Sequence, residues 1–245
     1  MGLLDRLEAA HATRDAACER VTRAGLALLT APGIPPDTFE SRARIAVTAL
    51  QNLPVRTAHL DRYREAILDL AVRGKLSRGA GGEYAKVGDY RSLQNGYAFK
   101  SEWFAESGIR LLRNVNVGHG AITWDNAVSL PEGHAKQYER FLLREGDIVL
   151  SLDRPFIVTG TKVARVDKTD LPSLLLQRVG RFVEKRAGLS DSYLFLWINS
   201  PHFNEQIDPG RSNGVPHISS KQVENARIRI PTLVEQHRIV AKVDA

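Results

Sequence analysis

Three glycines within six residues, Ser77-Arg-Gly-Ala-Gly-Gly82, divide this chain into two stretches of different texture. Upstream, apolar residues recur at helical spacing; downstream, they come in short β-rich runs bounded by turn residues. A glycine-rich stretch behaves as a flexible connector. The boundary therefore falls there, giving a helical region over 1–76, a domain over 77–232 and the start of a further helix over 233–245.

The helical region opens on a heptad seam. Leu3, Leu7, Ala10, Arg14, Ala17, Val21, Ala24 and Leu28 fall at alternating steps of four and three. Arg14 interrupts the seam and alanines narrow it, which suits close packing against one partner helix better than a thick core. A single amphipathic helix lying on an ordinary domain is the alternative. The stretch Thr30-Ala-Pro-Gly-Ile-Pro-Pro36 stops this helix, because proline cannot continue it. A second helix is expected over 37–51. A third follows Pro54, with Leu60, Tyr63, Ile67, Leu70 and Ala71 on one face, and ends at Gly74.

From Tyr84 onward, strands are expected over 109–117, 147–151, 157–166 and 174–183, with one helix over Asp191–Asn199 capped by Ser190. This is an α+β domain. Pro231 closes it, and Glu235 starts a helix that carries Ile239 and Val243 on its apolar face and meets no stop signal before Ala245.

Composition bounds the function. The 34 Lys and Arg against 28 Asp and Glu give +6, and the pI of about 9.6 reaches the range of nucleic-acid binders. Cys18 is the single cysteine, so an intrachain disulfide and a cysteine zinc site are both excluded. Asp5 and Arg6 stand where a signal peptide needs an apolar run, and no stretch has the length of a membrane span, so the cytoplasm is the expected compartment. No Gly-x-Gly-x-x-Gly, phosphate loop, Asn-Pro-Pro-Tyr or Gly-x-Ser-x-Gly occurs. The histidines form no His-x-x-x-His pair, and His119 with His134 makes a poor metal site. These absences argue for a chain without catalytic or cofactor chemistry of its own.

Four stretches carry a resemblance. The closing block, Ile218-Ser-Ser-Lys-Gln-Val-Glu-Asn-Ala-Arg-Ile-Arg-Ile-Pro231-Thr-Leu-Val-Glu-Gln-His-Arg-Ile-Val240, is similar to the end of a target-recognition domain in type I restriction-modification specificity subunits. Gly108–Gly118, Arg144–Ser151 and Tyr63–Leu76 resemble further parts of that family, in its order. In the family, the helix opening Glu-Gln-His-Arg-Ile-Val runs on into a segment like Met1–Ala9, so the two chain ends resemble two pieces of one spacer helix. A half-subunit with shifted ends and a portion of a longer two-domain chain both fit that observation.

The resemblance implies an α+β target-recognition domain on a long antiparallel helical, coiled-coil spacer, reading one half of a bipartite site on double-stranded DNA. Leu3, Leu7, Ala10, Ala17, Val21, Leu28, Ile239 and Val243 would meet a second copy or a second specificity half. It also implies adenine methyltransferase subunits carrying S-adenosylmethionine and a translocating restriction subunit using ATP and Mg, with no cofactor on this chain. Base edges take Arg or Lys at guanine and Asn or Gln at adenine, with Ser and Thr adaptable; phosphates take Lys, Arg and loop amides. Candidates of these types at strand ends and loops are Lys100, Arg113, Asn114, Asn116, Arg154, Thr159, Lys162, Gln177, Arg178, Arg211, Ser212, Asn213 and His217. Each also has a bland reading: Arg113 and Arg178 as solvated strand residues, Asn114 and Asn116 as turn formers, His217 as a structural hydrogen-bonder, and Asp153 with Arg154 as a surface ion pair. The recognition end of a fused methyltransferase-nuclease, and a coiled-coil adaptor or antirestriction decoy that binds no DNA, fit the same residues.

Overall fold

The computed structural model describes residues 2–31, 35–51, 57–76, 81–212 and 215–243. They fall into two compact units, Met1–Ala80 and Gly81–Ala245. The expected turn at 32–34, the connector at 77–80 and the loop residue Asn213 lie outside the described residues.

The first unit contains α1 (Leu3–Thr30), α2 (Pro36–Gln51) and α3 (Thr57–Val72), with α1 packed on both others. The buried face of α1 is Cys18, Thr22, Gly25 and Leu29. Its steps of four, three and four are heptad-like, but the register is one residue later than the apolar seam. Ala17, Val21 and Leu28 flank it half-buried, while Leu3, Leu7, Ala10, Arg14 and Ala24 are exposed. The reason is partner chemistry. Tyr63 on α3 donates its hydroxyl to Thr22 Oγ1 at 3.1 Å, and Arg62 pairs with Glu19 at 2.7 Å, so a polar residue earns a buried place. Leu29, Ala46 and Leu70, with Phe39 and Ala43, form the apolar centre of this unit. On α3, Leu70 and Ala71 are buried as the periodicity predicts, whereas Ile67 is exposed and Ala66, Leu68 and Val72 are buried. Gly74, at φ 75°, ends α3: its amide donates to Ala71 O and that of Lys75 to Leu70 O, the paired bonds of a Schellman cap.

In the second unit the strands are β1 (Glu83–Lys86), β2 (Arg91–Asn95), β3 (Ile109–Leu112), β4 (Ser129–Leu130), β5 (Ile148–Ser151), β6 (Phe156–Ile157) and β7 (Gly160–Thr161), followed by β8 (Val163–Arg165), β9 (Ser173–Leu175), β10 (Val179–Glu184), β11 (Arg211–Ser212), β12 (Val215–Pro216) and β13 (Arg227–Ile230). The helices are α4 (Glu132–Ala135), α5 (Asp191–Ile198), α6 (Pro201–Asn204), α7 (Ser220–Asn225) and α8 (Leu233–Val243). An antiparallel sheet runs β2-β10-β5-β8, and a second sheet, β4-β3-β9, pairs β3 and β9 in parallel. Leu111, Leu112, Leu130, Phe141, Val149, Ala164, Leu174, Leu175 and Val179 form one apolar core. β1 pairs antiparallel with β13, Glu83 facing Ile230, so the domain's entry and exit are joined.

Of the four expected strand runs, the one over 147–151 is unbroken as β5, and the other three are present but interrupted at turns. The run over 109–117 stops at Leu112, where Arg113–Asn116 forms a turn. The run over 157–166 folds into the β6–β7 hairpin before β8. The run over 174–183 is divided by Gln177-Arg178, with Arg178 at φ 68°. Helix α5 begins where Ser190 caps it, its hydroxyl accepting from Tyr193 N at 3.2 Å.

Helix α8 packs on α5 and belongs to the second unit. Gln236 fixes it from a fully buried position. Its Oε1 accepts from Ser190 N at 2.8 Å, and its Nε2 donates to Gly188 O at 2.7 Å and Pro231 O at 2.9 Å. Ile239 is buried within this chain at 4% exposure. That corrects its expected place on a partner-facing surface: side chains three apart share a helix face, so Ile239 follows Gln236 inward. Val243 remains half-exposed.

Candidate nucleic-acid interface

Four segments far apart in sequence are knitted together by backbone hydrogen bonds. Gly120 N donates to Val163 O, Leu152 N to Arg178 O, Arg154 N to Pro216 O and Ile218 N to Leu152 O, all at 2.8–2.9 Å. The loop after β3, the segment from β5 into β8, the β9–β10 turn and the β11–β12 hairpin thus form one cluster. Side chains tighten it. Lys162 Nζ donates to Asn114 O. His119 Nδ1 lies 3.1 Å from Thr161 O, its ring packed on Gly160 at φ 130°, where an added Cβ would come within 2.6 Å of the ring. Arg178 and His217 meet on the carboxylate of Asp153.

Most of the candidates belong to this cluster. Arg154, Thr159, Gln177 and Arg178 are exposed on it, with Asn114, Lys162 and His217 half-buried. Arg154 and Arg178 both adopt left-handed backbone, φ 46° and 68°. That conformation costs a non-glycine residue about 1–2 kcal/mol, and such outliers concentrate where a fold sets a side chain for function. Arg211 and Ser212 pair with Pro216 and Val215 across β11–β12, so their backbone joins the cluster through His217.

Three expectations are corrected. Asn116 does not present its amide to a base: it is 1% exposed, its Oδ1 accepts from Arg113 N at 3.2 Å, and its Nδ2 donates to Thr123 O at 2.9 Å. It is the former of the turn that ends β3. Arg113 spends Nη2 on the carbonyl of Asn126, and its Nε is buried, so little of its guanidinium fork is left for a base. Asp153 does not pair with its neighbour Arg154; it is buried and holds Arg178 and His217 instead. Lys100 stands apart from these contacts, its ammonium 5.5 Å from the centre of the Trp103 ring.

The electrostatics favour an anion. Burial lowers the Lys162 ammonium below the usual lysine range, and the nearby Arg154 guanidinium lowers it further, while Asp153 pulls the other way. Like charges held together on a surface are relieved when a phosphate arrives. Apolar groups stand beside them: Val115 is 62% exposed, Ile157 43%, and Val158, at the β6–β7 tip, fully exposed. A thymine methyl is one natural partner for such groups. Neither valine stands out in the sequence, because an apolar residue beside a strand has the signature of core, and Asp153 stands out there only as an ion-pair partner for its neighbour Arg154. Among the described residues no cluster of His, Cys, Asp and Glu has the grouping of a metal site, and no helix is long and apolar enough to cross a membrane.

A domain whose first and last strands are paired, and whose loops gather arginine, lysine, histidine and asparagine into one cluster, belongs to the class of scaffolded recognition domains. The chain is a member of the type I restriction-modification specificity family: the family described as "Type I restriction modification DNA specificity domain" matches residues 82–245. It is 49% identical over 164 residues to the EcoAI specificity subunit of Escherichia coli, covering 67% of this chain and 28% of that one. It is 33% identical over 162 residues to the MjaVIII specificity subunit of Methanocaldococcus jannaschii, covering 66% and 38%. The chain thus spans well under half the length of these relatives. The fold is similar to that of the HsdS subunit from Thermoanaerobacter tengcongensis, with a TM-score of 0.51 and 19% identity over 85% of this chain and 48% of that one.

Proposed function

We propose that the chain reads one part of a bipartite DNA target for a type I restriction-modification system through the cluster of Asn114, Arg154, Thr159, Lys162, Gln177, Arg178 and His217, and we assign Arg211, Ser212 and Asn213, the last outside the described residues, to the same target. Lys100, outside the cluster, is assigned a backbone phosphate. The observation that supports this most is the meeting of four sequence-distant segments, each bringing residue types suited to base edges or phosphates. Gln177 and Arg178 are assigned to base edges, Arg154 and Lys162 to phosphates, and Val158 to a thymine methyl. Asn116 has no part in readout.

The chain performs no reaction in this reading. Adenine methyltransferase subunits bring S-adenosylmethionine, and a restriction subunit brings ATP, Mg and translocation; α1 of this chain aligns with a second copy or a second specificity half as a helical spacer. The relatives named above are specificity subunits of type I restriction enzymes, and the 49% identity to one of them supports the assignment. The test is binding by the chain assembled with its methyltransferase, comparing a target and a scrambled duplex of equal length at two salt concentrations. Preference for the target and a falling affinity with salt are expected; equal, salt-insensitive binding of both duplexes would refute the reading.

A further inference from the structure

An acid sits in the middle of this basic cluster. A carboxylate beside a phosphate-binding surface opposes DNA, so its presence there needs a compensating role. The Asp153 side chain is 10% exposed, and both its oxygens lie 2.9 Å from a single nitrogen of Arg178, Nη1. Its Oδ1 also accepts from His217 Nδ1 at 2.8 Å. The backbone around it is fixed: Asp153 bridges to His217, its carbonyl accepts from Ser151 Oγ at 2.7 Å, and Leu152 N donates to Arg178 O at 2.8 Å. Arg178 is therefore held at both ends, through its left-handed backbone and through Nη1. Its side chain stays 54% exposed, and among the described residues nothing engages Nε or Nη2.

That division of the guanidinium decides the function. Arginine offers donors in a planar fork, and a guanine presents O6 and N7 side by side to two of them. With Nη1 anchored, the free edge is the Nε–Nη2 pair, itself a two-donor fork. We propose that Asp153 is a positioning residue for base readout, orienting Arg178 so that its Nε and Nη2 take the O6/N7 edge of a guanine in the target. The same carboxylate, accepting from Nδ1, turns His217 Nε2 outward. Pre-ordering a long side chain removes the rotamer freedom that binding would otherwise have to quench.

This inference rests on the cluster being the DNA interface, and the experiment separates the two. Asp153→Asn, Arg178→Ala, Arg178→Lys and the double change Asp153→Asn with Arg178→Ala are compared in the methyltransferase complex on target and scrambled duplexes, with thermal unfolding as a control. A base-positioning acid predicts opposite signs for Asp153→Asn. The target-to-scrambled ratio falls on the order of ten-fold, while scrambled-duplex affinity holds or rises because a negative charge has gone. The double change adds no further loss of preference over Arg178→Ala. Arg178→Lys keeps the charge, loses the fork and likewise loses preference. A parallel loss on both duplexes, or unfolding of Asp153→Asn together with full preference in Arg178→Lys, would make Asp153 a structural acid and overturn the inference. Unchanged preference in Arg178→Ala would overturn the interface reading itself. Loss in Arg178→Ala with full preference in Asp153→Asn would remove the positioning role alone.

Discussion

At the scale of single residues, chemistry and burial pull apart what sequence position groups together. Asn116 and Lys162 are both polar residues near glycine, yet they do opposite things. Asn116→Ala leaves the Arg113 amide and the Thr123 carbonyl without their partner in a buried turn, a loss of about 1–3 kcal/mol. Denaturant unfolding should show that loss, with target preference intact once the protein is folded. Lys162→Met should do the reverse. A lysine whose folded pKa lies below its unfolded one contributes stability at pH above the unfolded value, and that contribution is lost as pH falls through the folded value. At neutral pH the half-buried ammonium is thus a burden, so the variant should melt higher while binding all duplexes more weakly and with a flatter salt slope. A lower melting temperature would show that the Lys162 bond to Asn114 outweighs its burial and its repulsion from Arg154. Residue types were legible in the sequence, since the arginines, lysine and histidine of the cluster are candidates by type and by place at strand ends and loops once the family resemblance is given. Pairings were not. Whether Asn116 points at a base or at Thr123, and whether Asp153 answers Arg154 or Arg178, depends on contacts across 7 and 25 positions of chain.

At the scale of elements, periodicity and caps were read well, and register less so. Ser190 and Gly74 mark helix ends through strictly local bonds, and both stand where local rules put them. The face of α1 moved by one residue because its neighbours prefer Cys18, Thr22, Gly25 and Leu29, and the hydroxyl that buries Thr22 comes from Tyr63 on another helix. The β-runs broke at turns made by side chains from elsewhere: Gly160 accepts the His119 ring, and Arg178 is pinned by Asp153. Gln236 shows why the Glu-Gln-His-Arg-Ile-Val motif has the form it does. Its amide joins α8 to the cap of α5 and to Pro231, which ties the helix to the closed end of the domain. Gln236→Leu keeps the volume and removes the bonds, leaving Ser190 N unsatisfied at a cost of about 1–3 kcal/mol. Faster hydrogen exchange along 233–243, with the sheet still protected, is the expected signature. Uniform exchange throughout the domain would show that the amide braces the core as a whole rather than α8 alone.

At the scale of the whole molecule, the proposed pairing with a second specificity element falls on α1. On the proposed reading the cluster meets only one part of a bipartite target, and α1 leaves Leu3, Leu4 and Leu7 at 86%, 73% and 55% exposure. Large apolar side chains on successive turns of a helix are rarely left to water in a soluble protein. A helix of 28 residues is about 40 Å long, close to one duplex turn, the separation at which paired readers address two half-sites. Ala10 continues this face, while Ala17, Val21 and Leu28 lie beside the seam that α2 and α3 occupy, so the pairing proposed for α1 is assigned to its exposed N-terminal turns. Leu3→Asp with Leu7→Asp should therefore abolish self-association in light scattering at micromolar concentration, without lowering the melting temperature of the recognition domain. In the methyltransferase complex the same variant should retain contact with a half-target but lose the gain in affinity that the second half-site brings, since that gain comes from tethering two readers and not from new contacts. If the parent chain is a monomer both alone and with methyltransferase, α1 pairs with something other than a second copy. If the variant keeps the full bipartite advantage, the spacing between readers is set elsewhere than at Leu3 and Leu7.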